Sequence, residues 1–197
     1  SAALGVALWQ ARVAHIQTGI AQAQAQRAEA VRRFQVGVFE NASPDENEGK
    51  PISAHELLEK GERQLDAGLH EQPVLQADVL TLLGQLHIEL GDFKRAGALL
   101  DRADSASARD GVPADVRVRA LLGMAWIEGE TDAFDASIAH ANQALAILAQ
   151  EGHADPESSA NAHQLIAQSL IGKGDYAGLE ARLRTNLQQD RLALGDH

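Results

Sequence analysis

Cysteine is missing from all 197 residues, which removes both a disulfide scaffold and a thiolate zinc site and is compatible with either side of a membrane. Aromatics make up only 4% of the chain. Apolar residues nevertheless reach 45%, largely Ala and Leu, which is the vocabulary of close helix packing and argues against a β-sandwich. Proline is scarce at five residues, so most of the chain is free of helix breakers. No apolar run is long enough to span a bilayer, the longest lying near Ala2 to Trp9, and no complete signal peptide is visible. A basic surplus is also lacking. The net charge is −11, and an acidic surface argues against nucleic acid, whose phosphates demand a basic face. The charge is uneven: Arg12, Arg27, Arg32 and Arg33 against Glu29 and Glu40 leave residues 1–43 at +2, and the rest carries −13. The sequence opens at Ser1 without Met, which points to a segment of a larger protein.

What is present is a repeat. Asp78 to Ala103, DVLTLLGQLHIELGDFKRAGALLDRA, has the pattern of two short amphipathic helices joined by a Gly-Asp turn. Leu83-Gly84 and Gly91-Asp92-Phe93 return as Ile166-Ala167 and Gly174-Asp175-Tyr176, with Leu122-Gly123 as a middle copy. The two Gly-Asp turns are 83 positions apart, giving a period of about 41 to 42 residues, within the range of helical-pair solenoids. Gly84 lets the second helix approach closely, Gly91 supplies a residue that tolerates positive φ, and Asp92 caps the next helix. Ala96 and Ala103 place two small side chains on one stripe, with Leu99 and Leu100 filling the space between.

Before the repeats, Ser1 to about Asn41 spaces Trp9, Val13, Ile16, Ile20, Val31, Phe34 and Val38 by helical steps, predicting one long helix with a narrow apolar stripe. Trp9, Val13, Ile16 and Ile20 are its candidate dimerisation face. Asn41 to Ile52, with two prolines and a cluster of acids, reads as a hinge. The Asn41-Ala42-Ser43 sequon is followed by Pro and reads as chance. This gives a stalk helix over 1–43, a hinge over 44–52 and a repeat domain over 53–197. Ser53 with Glu56 forms a capping box for a helix to about Leu69, with Leu57, Leu58, Leu65 and Leu69 as its stripe. Pro73 opens the next helix. Repeat two begins at Val112-Pro113 and carries Leu121, Leu122, Met124 and Trp126, a turn over Gly129 to Ala133 longer than its neighbours', and then Phe134, Ile138, Leu145 and Leu148. Repeat three offers Leu165, Ile166 and Leu170, then Leu179, Leu183 and Leu187. Leu179 stands where the pattern prefers a small residue, so pairing there should be looser.

The repeats resemble tetratricopeptide repeats of the longer, kinesin-light-chain-like kind, to which Ile147-Leu148 to Pro156 and Leu192 to His197 are similar as linkers. That resemblance implies an all-α fold: the long N-terminal helix followed by a right-handed α-solenoid of about three helix pairs. A second resemblance rests on Leu-Trp-Gln-Ala-Arg (8–12), Ala-Glu-Ala-Val-Arg-Arg-Phe (28–34), Val-Phe-Glu-Asn-Ala (38–42) and Ser-Ala-His-Glu-Leu-Leu-Glu-Lys-Gly (53–61). This order looks like the C-terminal portion of bacterial membrane-anchored serine/threonine protein kinases. It implies a kinase domain and membrane helix upstream, the latter overlapping Ala2 to Trp9, and an extracytoplasmic, periplasmic location for these repeats. The competing expectation is a free-standing cytoplasmic adaptor.

Neither reading gives the chain an enzymatic role of its own. There is no His-Arg-Asp loop, no Asp-Phe-Gly and no Gly-rich phosphate loop, and Gly49-Lys50 lacks the upstream glycine of a P-loop. Eight histidines include a cluster of His140, His153 and His163 with Asp155, but none shares a helical turn with another at i+4, so neither a metal nor a cofactor is expected. His87 stands where the repeat usually has an aromatic and is expected in the core. His55 and His70 are expected at the surface. The implied functional surface is the concave face of the first helices. Aligned on the Leu-Gly equivalents, that face comprises Asp78, Thr81, Gln85 and Glu89 in repeat one, Arg117, Ala120, Met124 and Glu128 in repeat two, and Asn161, Gln164 and Gln168 in repeat three. Polar, with Arg117 its one base, such a lining suits a protein or extended peptide ligand better than a lipid.

Overall fold

The computed structural model of the chain describes residues 25, 28–29, 32, 53–68, 72–109, 111–151 and 155–194. The expected stalk helix and hinge, including Trp9, Val13, Ile16 and Ile20, therefore lie outside the described residues save for four isolated positions. Among the described residues the fold is all-α, with seven helices: α1 (Ala54–Gly68), α2 (Pro73–Glu89), α3 (Phe93–Ser107), α4 (Ala114–Glu130), α5 (Phe134–Glu151), α6 (Pro156–Gly172) and α7 (Tyr176–Leu194). None of them is long and apolar enough to cross a membrane. The chain divides into two compact units, residues 1–79 and 80–197.

In the first unit α1 begins with the expected capping box. The Ser53 backbone N–H and hydroxyl both donate to the Glu56 carboxylate at 2.9 Å, and the Glu56 N–H donates back to the Ser53 hydroxyl at 3.2 Å. These bonds, the backbone N–H first, hold the exposed Glu56 carboxyl below its ordinary pKa. Leu58 and Leu65 are buried on the inward stripe and Leu57 is half-buried, while Leu69 lies outside the described residues.

In the second unit consecutive helices pack on one another from α3 to α7, and α4 also touches α6. Leu100 of α3 explains how closely the first layers approach. A Cβ on Gly84 of α2 would stand 2.8 Å from Leu100 Cγ, and one on Gly123 of α4 would stand 2.9 Å from Leu100 Cδ1. Leu100, fully buried, thus sits between two glycines, and any larger residue at either would have to displace it. Ala96, Leu99 and Ala103 complete the buried stripe of α3 as expected. The stripe of α5 differs from expectation. Its buried residues are the small Ser137, Ala141 and Ala144, while Phe134, Ile138, Leu145 and Leu148 are half-buried at the margins. On α6, Leu165, Ile166 and Leu170 are buried as expected. Pairing of α6 with α7 is loose: among the described residues α7 packs on α6 alone, Leu179 is half-buried, and Leu183 stays 52% exposed.

Three turns share one backbone design. Gly91, Asp132 and Gly174 each adopt positive φ (75°, 60° and 72°). After each, the next residue's N–H closes a bond back over the helix end: Asp92 to the His87 carbonyl at 2.9 Å, Ala133 to the Glu128 carbonyl at 2.8 Å, and Asp175 to the Leu170 carbonyl at 2.9 Å. An aromatic follows in every case: Phe93, Phe134 or Tyr176. The turn over Gly129 to Ala133 is therefore no longer than its neighbours, because α4 continues to Glu130 and leaves the same three-residue link. Asp132 takes the glycine's place, and its short polar side chain makes the left-handed backbone tolerable.

That turn also corrects the register of the middle copy. Counting back from Asp132 as Gly84 is counted back from Gly91, the equivalent of Gly84 is Ala125, two positions past Gly123. Gly123 is a glycine for a different reason: it receives Leu100 from the preceding hairpin.

Candidate functional site

The corrected register turns a different face of α4 towards its neighbours. Asp115, Arg119, Leu122, Gly123 and Trp126 fall along one side of that helix and line an open groove of about 1010 Å³. Gln85, Ile88 and Glu89 of α2 form one wall. The other wall comes from α6 and the residue before it, where Asp155, Glu157, Ser158, Ala160, Asn161 and Gln164 face inward. Leu122, Ile88 and the half-buried Trp126 give the groove apolar surface, and Trp126 is held edge-on to Phe93 with ring centroids 5.6 Å apart.

The charge of this groove is mostly negative. Glu89, Asp115, Asp155 and Glu157 are carboxylates, and the single cation is Arg119, whose guanidinium lies 3.7 Å from Asp115. Asp155 is fixed by its role as N-cap of α6, accepting from the Ser158 backbone N–H at 3.0 Å. That bond, with the Ser158 hydroxyl behind it, holds its carboxyl below the ordinary range, so it stays ionised at neutral pH.

Of the residues expected on the ligand face, the structure brings Gln85, Glu89, Asn161 and Gln164 together in the groove. Gln168 lines a smaller cavity between α4 and α6. Asp78 and Thr81 are buried, at 4% and 0% exposure. The repeat-two set lies elsewhere. Arg117 points to α3, where its Nε donates to Asp104 at 2.7 Å. Ala120 and Met124 are in the core, and Glu128 pairs with His140 of α5 at 2.7 Å. The repeat-two placements follow from the two-residue register offset, which puts Arg119, Leu122 and Trp126 on the groove in the places expected for Arg117, Ala120 and Met124. Aligning the repeats on Phe93, Phe134 and Tyr176 instead of on Leu-Gly would have found them.

His87 is buried as expected, 3.5 Å from the Asp92 carboxylate. His140 is occupied with Glu128, His163 is half-buried on α6, and His153 and His70 lie outside the described residues.

No family model, curated protein or solved structure matches the chain.

Proposed function

We propose that this chain is a non-catalytic, peptide-binding repeat domain of tetratricopeptide type, with the groove across α2, α4 and α6 as its ligand surface. The observation that carries this reading is the groove itself, an open channel with an apolar floor at Trp126, Leu122 and Ile88 between polar walls. Such a lining suits an extended segment held by backbone hydrogen bonds and a few anchoring side chains. Three backbone turns of one design at 91, 132 and 174, each joining a helix pair, support the repeat assignment. The resemblance of residues 8–61 to bacterial membrane serine/threonine kinases supports a place in the extracytoplasmic sensor region of such a protein. In that setting the stripe at Trp9, Val13, Ile16 and Ile20 pairs two stalks, and groove occupancy biases the pairing only through differential affinity.

The test is a backbone-amide NMR titration of the full chain with short degenerate peptides. Saturable shifts at Gln85, Leu122, Asn161 and the Trp126 indole are expected, with Arg117 and Met124 unmoved. Shifts confined to the second helices would place the ligand surface elsewhere. For the stalk, Ile16→Asp with Ile20→Asp should move the protein towards monomer in sedimentation. A wild-type chain already monomeric would remove the dimer.

A further inference from the structure

The chemistry of the ligand follows from a second cavity, and the inference rests on the groove reading above. Trp126 lines both spaces. Beyond it α4, α5 and α6 enclose about 200 Å³, a volume suited to one long side chain, with Gly129, Glu130, Phe134, Ser137, Gln168 and Ser169 among its lining.

The polar groups there have a direction. Ser137 Oγ lies 2.7 Å from the Ala125 carbonyl, which can only accept, so the Ser137 proton is committed to it. Ser169 Oγ lies 2.9 Å from Ser137 Oγ and must therefore be the donor of that bond. Both serines are buried, at 0% and 1% exposure. With its proton given to Ser137, Ser169 has only lone pairs to offer the cavity. Gly129 leaves space beside them, since a Cβ there would stand 3.7 and 3.8 Å from the two hydroxyls.

At the edge of the same cavity stands Glu130, exposed and the last residue of α4. A carboxylate at a helix C-terminus adds to the negative end of the macrodipole, and the last turn of α4 contains no basic residue to offset it. Glu89 likewise ends α2, on the wall of the main groove, with His87 in the same last turn. The cavity thus has the Ser169 lone pairs inside it and the Glu130 carboxylate at its edge, beside the Gln168 amide, which can accept as well as donate, and the groove leading to it has four carboxylates against Arg119. A ligand that brings donors and positive charge completes both.

We propose that the ligand is an extended cationic peptide, one of whose Lys or Arg side chains passes the face of Trp126 and ends in the α4–α6 cavity, its charge shared by Glu130 and the lone pairs of Ser169. The indole face adds a cation–π contact along the way. The net charge of the chain steers such a peptide inward and makes binding salt-dependent.

The experiment uses three mixtures of short degenerate peptides, identical except for a central Lys/Arg, Gln or Glu, titrated into the isotope-labelled full chain. The Lys/Arg mixture should shift the Trp126 indole and the Gly129 and Ser169 amides, bind about ten-fold more tightly than the Gln mixture, and weaken with added salt. Glu130→Gln, at an exposed position, should remove most of that advantage. Ser169→Val should abolish the Gly129 shift while leaving groove shifts at Asn161 in place. If Ser169→Val does not fold, Glu130→Gln decides alone. Equal or tighter binding of the Gln or Glu mixture, or unchanged preference in Glu130→Gln, overturns the cationic assignment and leaves the groove reading standing. Absence of groove shifts with every mixture overturns both.

Discussion

The turns of the hairpins α2–α3 and α4–α5 have the same backbone design and different chemistry. In the first, Gly84 makes room for Leu100, Gly91 turns the chain, and Asp92 caps α3 by accepting from the Arg95 N–H at 3.1 Å. In the second, Ala125 and Ala141 stand at the places corresponding to Gly84 and Leu100, both fully buried, so a small–large pair has become two small residues. Asp132 turns the chain with φ 60°, and Ala133 has no side chain to cap α5. Ser137 replaces Ala96. The comparison teaches that the carbonyl-to-amide closure over each turn, from 87 to 92 and from 128 to 133, is kept while the residues around it differ. The serine in the alanine's place also begins a chain of hydroxyls, Ser169 donating to Ser137 and Ser137 to the Ala125 carbonyl.

The sharpest way to break the comparison is Leu100→Ala. Nothing equivalent fills the space between Gly84 and Gly123, so urea melts should show a loss of about 2–5 kcal/mol. Gly123→Ala comes next. An exposed helical glycine would gain from this change, but here the new Cβ meets Leu100, and a net loss of roughly 1–3 kcal/mol is expected. In the Leu100→Ala background the same substitution should become neutral or stabilising, and a cycle without that reversal would show that Leu100 is not what Gly123 accommodates. Restoring the lost signature sharpens the comparison from the other side. Ala133→Asp should gain about 1 kcal/mol by capping α5. Asp132→Gly should gain up to about 1 kcal/mol from the turn, reduced by the greater freedom of glycine in the unfolded chain.

The smallest effect is a pH dependence at the caps. Asp155 and Glu56 have folded pKa values below their unfolded ones. Their contribution is therefore complete above the ordinary carboxylate range and is lost as pH falls through the folded values. Asp155→Asn keeps a capping oxygen that does not titrate, so the acid side of its stability profile should be shallower than the wild type's. An unchanged slope would show that this cap does not couple to folding.

Much of this architecture was legible because glycine, proline and capping residues act locally. Ser53 with Glu56, Pro73, Gly91-Asp92 and Gly174-Asp175 stand where their chemistry requires. The middle turn was harder to read. Asp132 performs a glycine's task, and Gly123 answers a partner 23 positions earlier in the chain, so the Leu122-Gly123 pair carries a glycine with a different cause. The resulting two-residue offset is more than half a helical turn, enough to exchange the groove face of α4 for its buried and α3-facing sides. For the same reason Gln85, Asn161 and Gln164 were placed in the groove from sequence, while Arg119, Leu122 and Trp126 emerged only from the packing.

The most direct test of the groove takes advantage of the absence of cysteine, which makes any introduced thiol the sole one. Asn161→Cys and Arg117→Cys would each be modified with a small maleimide, with and without the Lys/Arg peptide mixture. The groove account predicts that peptide slows modification at 161 and leaves the rate at 117 unchanged. Protection at 117 with none at 161 would contradict it.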